Sequence, residues 1–162
     1  LQGYNIRRDQ ITAGAMTVLA SWSAVNLAAG TTLALTTEDP QLAAFHQMNA
    51  GWNIVNAALA IPSLLGAQAR LADPPSPDLA ESLLEQNTLE DILLFNAGLD
   101  VGYIAAGFYL TERARRNEAN AEELAGFGYS LMVQGGFLLV FDLVVYALQR
   151  QVGVGLAEYA GE

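Results

Sequence analysis

The sequence predicts an all-α protein, a bundle of four transmembrane helices with an amphipathic helical extension before the third. Two observations carry that prediction. The stretches Gln10–Thr37 and Pro40–Ala69 hold no charged residue over 28 and 30 positions, each longer than the ~20 apolar residues that cross a hydrocarbon core of about 30 Å. Ile92–Thr111 and Leu124–Gln149 reach the same length with one acid apiece, Asp100 and Asp142. A soluble four-helix bundle would instead carry a charged stripe every three or four residues along each outer face, and the first two stretches have none. The expected spans are therefore about 10–36, 42–69, 90–112 and 124–149, in one membrane domain over 1–150 with a C-terminal tail at 151–162.

Each element has its own local signals. The first span ends in TTEDPQ (Thr36–Gln41), two acids and a proline that make a short turn. The second span contains Pro62, which removes one backbone hydrogen bond and bends a helix. It stops at the connector LADPPSP (Leu71–Pro77). Ser76, Pro77 and Asp78 read as an N-cap, a first-position proline and an acid in the first turn. Leu79, Leu83, Leu84 and Ile92 alternate with Glu81, Glu85, Glu90 and Asp91 in an amphipathic approach to the third span. Glu112–Glu123 is a charged loop before the fourth span. Helices in lipid associate through small residues and polar side chains, so Ala20, Ala24 and Ala28, and likewise Gly98, Gly102 and Ala106, are expected to face neighbours inside the bundle.

Composition then removes whole classes of chemistry. The chain has 162 residues, 15% charged, with 17 acids against 7 arginines, no lysine and a net charge of −10. Nothing in it is basic enough to grip nucleic acid. Without cysteine there is no disulfide, thiolate nucleophile, iron–sulfur cluster or Cys-based zinc site. His46, the single histidine, cannot supply the two Glu-x-x-His pairs of a di-iron bundle. No cofactor, metal or catalytic residue is assigned. Arg7, Arg8, Arg70 and Arg150 fall on one side of a four-span chain, and Arg113, Arg115 and Arg116 on the other, too even a division for the positive-inside rule to orient it. A chain opening on Leu1 suggests that an upstream piece is missing, either a cleaved signal peptide or a segment of another kind; a signal peptide would place both termini outside.

The polar residues inside the spans are the candidates for function. Asn49, Asn53 and Asn56 share one face of the second helix, Asn96, Asp100 and Tyr103 one face of the third, and Gln134 and Asp142 nearly one face of the fourth. Asn26, Trp22 and Trp52 join them as mid-span residues, the tryptophans placed to wall a core or a ligand. At about 1.5 Å per residue, Asp100 falls near the bilayer centre, level with Asn53 and Asn56, and Asp142 falls about 7 Å toward the N-terminal side. Asp100 is thus expected to meet the asparagines of the second helix, and Asn96 to face Asp142. A charged carboxylate at such depth costs at least about 2.5–3.5 kcal/mol, and intramembrane acids face the bundle interior.

The blocks FHQMNAGWNIVN (Phe45–Asn56), LLFNAGLDVGYIAAGFYLTERA (Leu93–Ala114) and GFGYSLMVQGGFLLVFDLVVY (Gly126–Tyr146) resemble a family of small bacterial membrane proteins of unknown function with four predicted helices. The resemblance covers about Asn5 to Arg150 and implies a topology and a bacterial cell membrane, without an activity. Three functions compete. The first is a non-enzymatic membrane module that binds a lipid or small hydrophobic ligand or supports an assembly. The second is a proton, ion or small-solute conduit through Asp100 and Asp142. The third, an intramembrane enzyme, rests on a faint similarity of Gly98-Leu99-Asp100 and Phe141-Asp142 to the paired aspartates of intramembrane aspartyl proteases. Reversed order, too few helices and a depth difference of roughly 6 Å count against it. The expected partners are the bilayer, a bound lipid, and a second copy or another membrane protein.

Overall fold

The structure is a computed structural model and describes residues 1–116 and 119–161. It consists of four helices in sequence: α1 (Gln2–Thr36), α2 (Pro40–Ala72), α3 (Leu79–Ala114) and α4 (Ala121–Ala160). At 33 to 40 residues they are about 50–60 Å long. All four are long and apolar enough to cross a membrane and extend well beyond its core of about 30 Å.

The helix ends follow from side-chain chemistry. Asp39 caps α2 by accepting a hydrogen bond from the Leu42 N–H, with Pro40 behind it at the first helical position. α2 remains helical through Pro62. At α3 the cap is Asp78 and not Ser76: its carboxylate accepts from the Glu81 N–H at 2.9 Å. The amphipathic extension runs straight into α3 as one helix. The charged loop is short, because α4 begins at Ala121. Residues 117 and 118 of that loop, and 162 at the chain end, lie outside the described residues. At the C-terminal end of α3, Arg116 and then Arg115 hold the Glu112 carboxyl below its ordinary value. Residues 151–160, expected as a tail, continue α4 instead and bury Val152, Gly153 and Leu156.

Burial is inverted relative to a soluble bundle. Val25, Leu35, Phe95 and Phe108 are more than 60% exposed, whereas Ser23, Asn53, Gln86, Ser130, Gln134 and Gln149 are fully buried. Apolar side chains outside and amides inside is the arrangement a hydrocarbon solvent selects.

α1 pairs with α2 and α3 with α4, while α4 also contacts α2 and α1. The α3–α4 seam is made by glycines. A Cβ at Gly107 would stand 2.6 Å from the Gly128 carbonyl, one at Gly128 2.7 Å from the Gly107 carbonyl, and one at Gly135 3.0 Å from the Asp100 carbonyl. These contacts correct the expected packing stripes. Gly98 and Gly102 have nothing within 4 Å of a Cβ position, and Ala24, Ala28 and Ala106 are exposed. The sequence offers two glycine faces on α3, and burial of the face carrying Ala97, Asp100 and Gly107 turns Gly98, Gly102 and Ala106 outward.

Candidate functional site in the membrane core

The buried face of α2 places Asn49, Asn53 and Asn56 against α1 and α4 more than against α3. Asn49 donates to Asn26 Oδ1 at 2.9 Å and accepts from the Gln134 amide, whose own oxygen accepts from Trp22 Nε1 at 3.0 Å. Asn53 donates to the Asn49 carbonyl and accepts from Asn56 Nδ2 at 3.3 Å. Trp22 also stacks on Phe137, with centroids 3.9 Å apart. These amides are largely satisfied by one another, as buried polar groups must be.

Asp100 and Asp142 occupy a different place. Their carboxyl groups lie within hydrogen-bonding reach of each other, and both line a cavity of about 190 Å³ between α2 and α3. Trp52 and Tyr103 meet edge to face across it at 4.6 Å, and Asn56 and Asn96 complete its polar lining. Asp100 is 2% exposed, and among the described residues no amide, hydroxyl or guanidinium group donates to its Oδ2, beside which the Asp142 carboxyl is the neighbouring polar group.

This overturns two expectations. Asp100 meets Asp142 and not the α2 asparagines, and no hydrogen bond joins Asn96 to Asp142 among the described residues. The physical reason is the lean of helical side chains toward their own N-terminus. α3 and α4 are antiparallel neighbours, so the Asp100 and Asp142 side chains lean toward each other and close the offset that a Cα estimate leaves. The depth difference raised against a paired-carboxyl site therefore falls away. The reversed order and small helix number still stand against a protease.

A second polar cluster, missed in the sequence, joins the helices at the end that carries Arg8, Arg70 and Arg150. Arg8 is buried, donating to the Ser82 carbonyl at 3.3 Å and pairing with Glu85. Asp9 pairs with Arg70 at 2.9 Å and Glu90 with Arg150 at 3.2 Å. Gln86 donates to Glu90 and to the Gln149 carbonyl, and Gln149 donates to the Arg8 carbonyl and Thr12. Asp9 and Glu90 are thus 3% and 6% exposed. The available signal was the spacing of four in Ser82, Gln86 and Glu90, which continues along the buried face toward Leu93, Ala97 and Asp100. Ala15, Leu93 and Val145 form an apolar layer between this cluster and the carboxyl pair.

Among the described residues, no group of three or more His, Cys, Asp or Glu side chains could hold a metal ion. No curated protein and no solved structure matches the chain. A family of unknown function, DUF6992, matches residues 18–143, a region holding the second and third spans, most of the first and fourth, and both carboxyl groups at the cavity, and the chain belongs to that family.

Proposed function

We propose that the protein is a non-enzymatic membrane module that binds a small amphiphile in the cavity between α2 and α3, with a hydrogen-bond donor of the ligand on Asp100. One observation carries this reading: the buried Asp100 Oδ2, which no amide, hydroxyl or guanidinium group among the described residues serves, beside a cavity. A buried acceptor without a donor costs about 1–3 kcal/mol, and a ligand donor removes that cost. The remaining lining is apolar, including Leu19, Leu99 and Leu138, which suits a ligand with a short hydrocarbon body. At about 190 Å³ the cavity is smaller than the ~300–1,000 Å³ of drug-sized sites. Val55 and Leu59 line it and are themselves more than half exposed, so the ligand's route is lateral, from the bilayer.

The conduit reading is less well supported. The layer of Ala15, Leu93 and Val145, with Phe141 packed on it, separates the carboxyl pair from the polar cluster beyond, and a proton or ion path would have to cross it.

The chain has two tryptophans, only one of them at the cavity, and this makes the test direct. With 5-fluorotryptophan incorporated and the protein in nanodiscs, titration with n-butylamine is expected to shift the Trp52 fluorine resonance saturably and leave Trp22 unmoved. Asp100→Asn should weaken that binding by about tenfold, the equivalent of ~1.4 kcal/mol for a hydrogen bond to a charged group. Linear shifts of both resonances, unchanged in Asp100→Asn, would show partition into lipid and sink the proposal.

A further inference from the structure

Independently of the α2–α3 cavity, we propose that the groove between α1 and α4 holds one acyl chain of an anionic glycerophospholipid, with its phosphate on Arg7. The groove has a volume of about 680 Å³ and is lined by apolar side chains of both helices from Gly136 to Leu148 and from Val18 back to Ile11, with Gln10 at its head. It exists because α1 and α4 carry glycine where they face each other: a Cβ at Gly14 or Gly136 would meet nothing within 4 Å. Phe137, stacked under Trp22, closes its inner end. Residues 136–148 of α4 rise about 18 Å and residues 10–18 of α1 about 12 Å, close to the ~15 Å of one leaflet. The groove thus has the length of an acyl chain in a single leaflet and ends at mid-membrane.

The chemistry at its head selects the lipid. Arg7 is exposed and lies one turn before Gln10 and Ile11 on the same face of α1. Arg8, Arg70, Arg115, Arg116 and Arg150 all form ion pairs, and Arg7 forms none among the described residues. Gln151, also exposed, follows Leu148 by three residues on α4. A guanidinium and two amides offer charge-assisted and neutral donors to a phosphate. No carboxylate stands beside them: Asp9 is turned inward onto Arg70, and α4 carries no acid between Asp142 and Glu158. A headgroup ammonium would therefore find no partner, so a headgroup of net negative charge is preferred over a zwitterionic one.

Trp22, stacked on Phe137 at the inner end of the groove, reports occupancy, and Trp52→Phe leaves it as the sole tryptophan. Full-length protein of this background is reconstituted in phosphatidylcholine vesicles containing increasing fractions of dibrominated phosphatidylglycerol or, in parallel, dibrominated phosphatidylcholine. Quenching of Trp22 is expected at about fivefold lower fractions of the anionic lipid, the preference one basic residue at headgroup level supplies. Arg7→Gln should bring the two lipids to parity while Trp22 is still quenched, and Gly136→Leu, which fills the groove, should reduce quenching by both. Equal quenching by the two lipids in the parent protein, or a preference that survives Arg7→Gln, overturns the proposal. So does a Trp22 shielded from both lipids in a dimer that Gly136→Leu dissociates, since the groove would then hold a second copy of the chain.

Discussion

Gly128→Leu is expected to abolish the folded bundle, whereas Gly98→Leu, thirty residues earlier on the neighbouring helix, should leave it intact. At Gly128 a Cβ alone would stand 2.7 Å from the Gly107 carbonyl and 3.1 Å from the Thr111 nitrogen. Both obstacles are backbone atoms, which no rotamer change removes. Overpacking into side chains already costs about 1–3 kcal/mol, and here relief requires α3 and α4 to separate. Separation also breaks the contact between Asp100 and Asp142, which lie on the two helices. At Gly98 nothing stands within 4 Å of the added carbon. Retention of a monodisperse, heat-resistant particle on size exclusion in mild detergent would read both outcomes. Survival of Gly128→Leu, or loss of Gly98→Leu, would mean that the α3–α4 seam uses the other glycine face.

Asp100→Leu is expected to do the reverse and stabilise the protein while removing ligand binding. The carboxyl at Asp100 has one buried oxygen without a donor, and an acid at mid-membrane costs at least about 2.5–3.5 kcal/mol on insertion scales. Leucine has the same branched outline with larger methyl groups in place of the oxygens, and the adjoining cavity of about 190 Å³ accommodates the difference. A gain of about 2 kcal/mol in resistance to sodium dodecyl sulfate is the expected size, since functional sites hold residues that stability alone would reject. A loss of comparable size would mean that Asp100 is interhelical glue. Asn53→Leu is the contrast: Asn53 is fully buried and bonds both Asn49 and Asn56, so its replacement should destabilise by about 1–3 kcal/mol.

The four helices were legible because charge is excluded from hydrocarbon, and long charge-free stretches therefore mark the spans directly. The polar faces were legible for the same reason: an amide in lipid must turn inward, and the spacing of Asn49, Asn53 and Asn56 states which way that is. What sequence periodicity could not supply was which inward residues meet. That depends on the antiparallel register of α3 and α4, set by backbone contact at Gly107, Gly128 and Gly135, and on side-chain lean, which brings Asp100 to Asp142. The polar cluster at the outer ends was not legible in this way. Arg8, Asp9 and Glu90 are buried there because each has an opposite charge from another helix beside it, and such cross-helix pairing leaves no mark on any one helix.

A structure of the protein in a lipid bilayer, at a resolution that shows ordered water and small ligands, tests the binding site at Asp100. The expected result is an open space between Trp52 and Tyr103, with density for a ligand atom or an ordered water within hydrogen-bond distance of Asp100 Oδ2. Closure of α2 onto α3, with Asn56 or Asn96 donating directly to that oxygen and no space left between the rings, would contradict it and make the two carboxyl groups part of the packing.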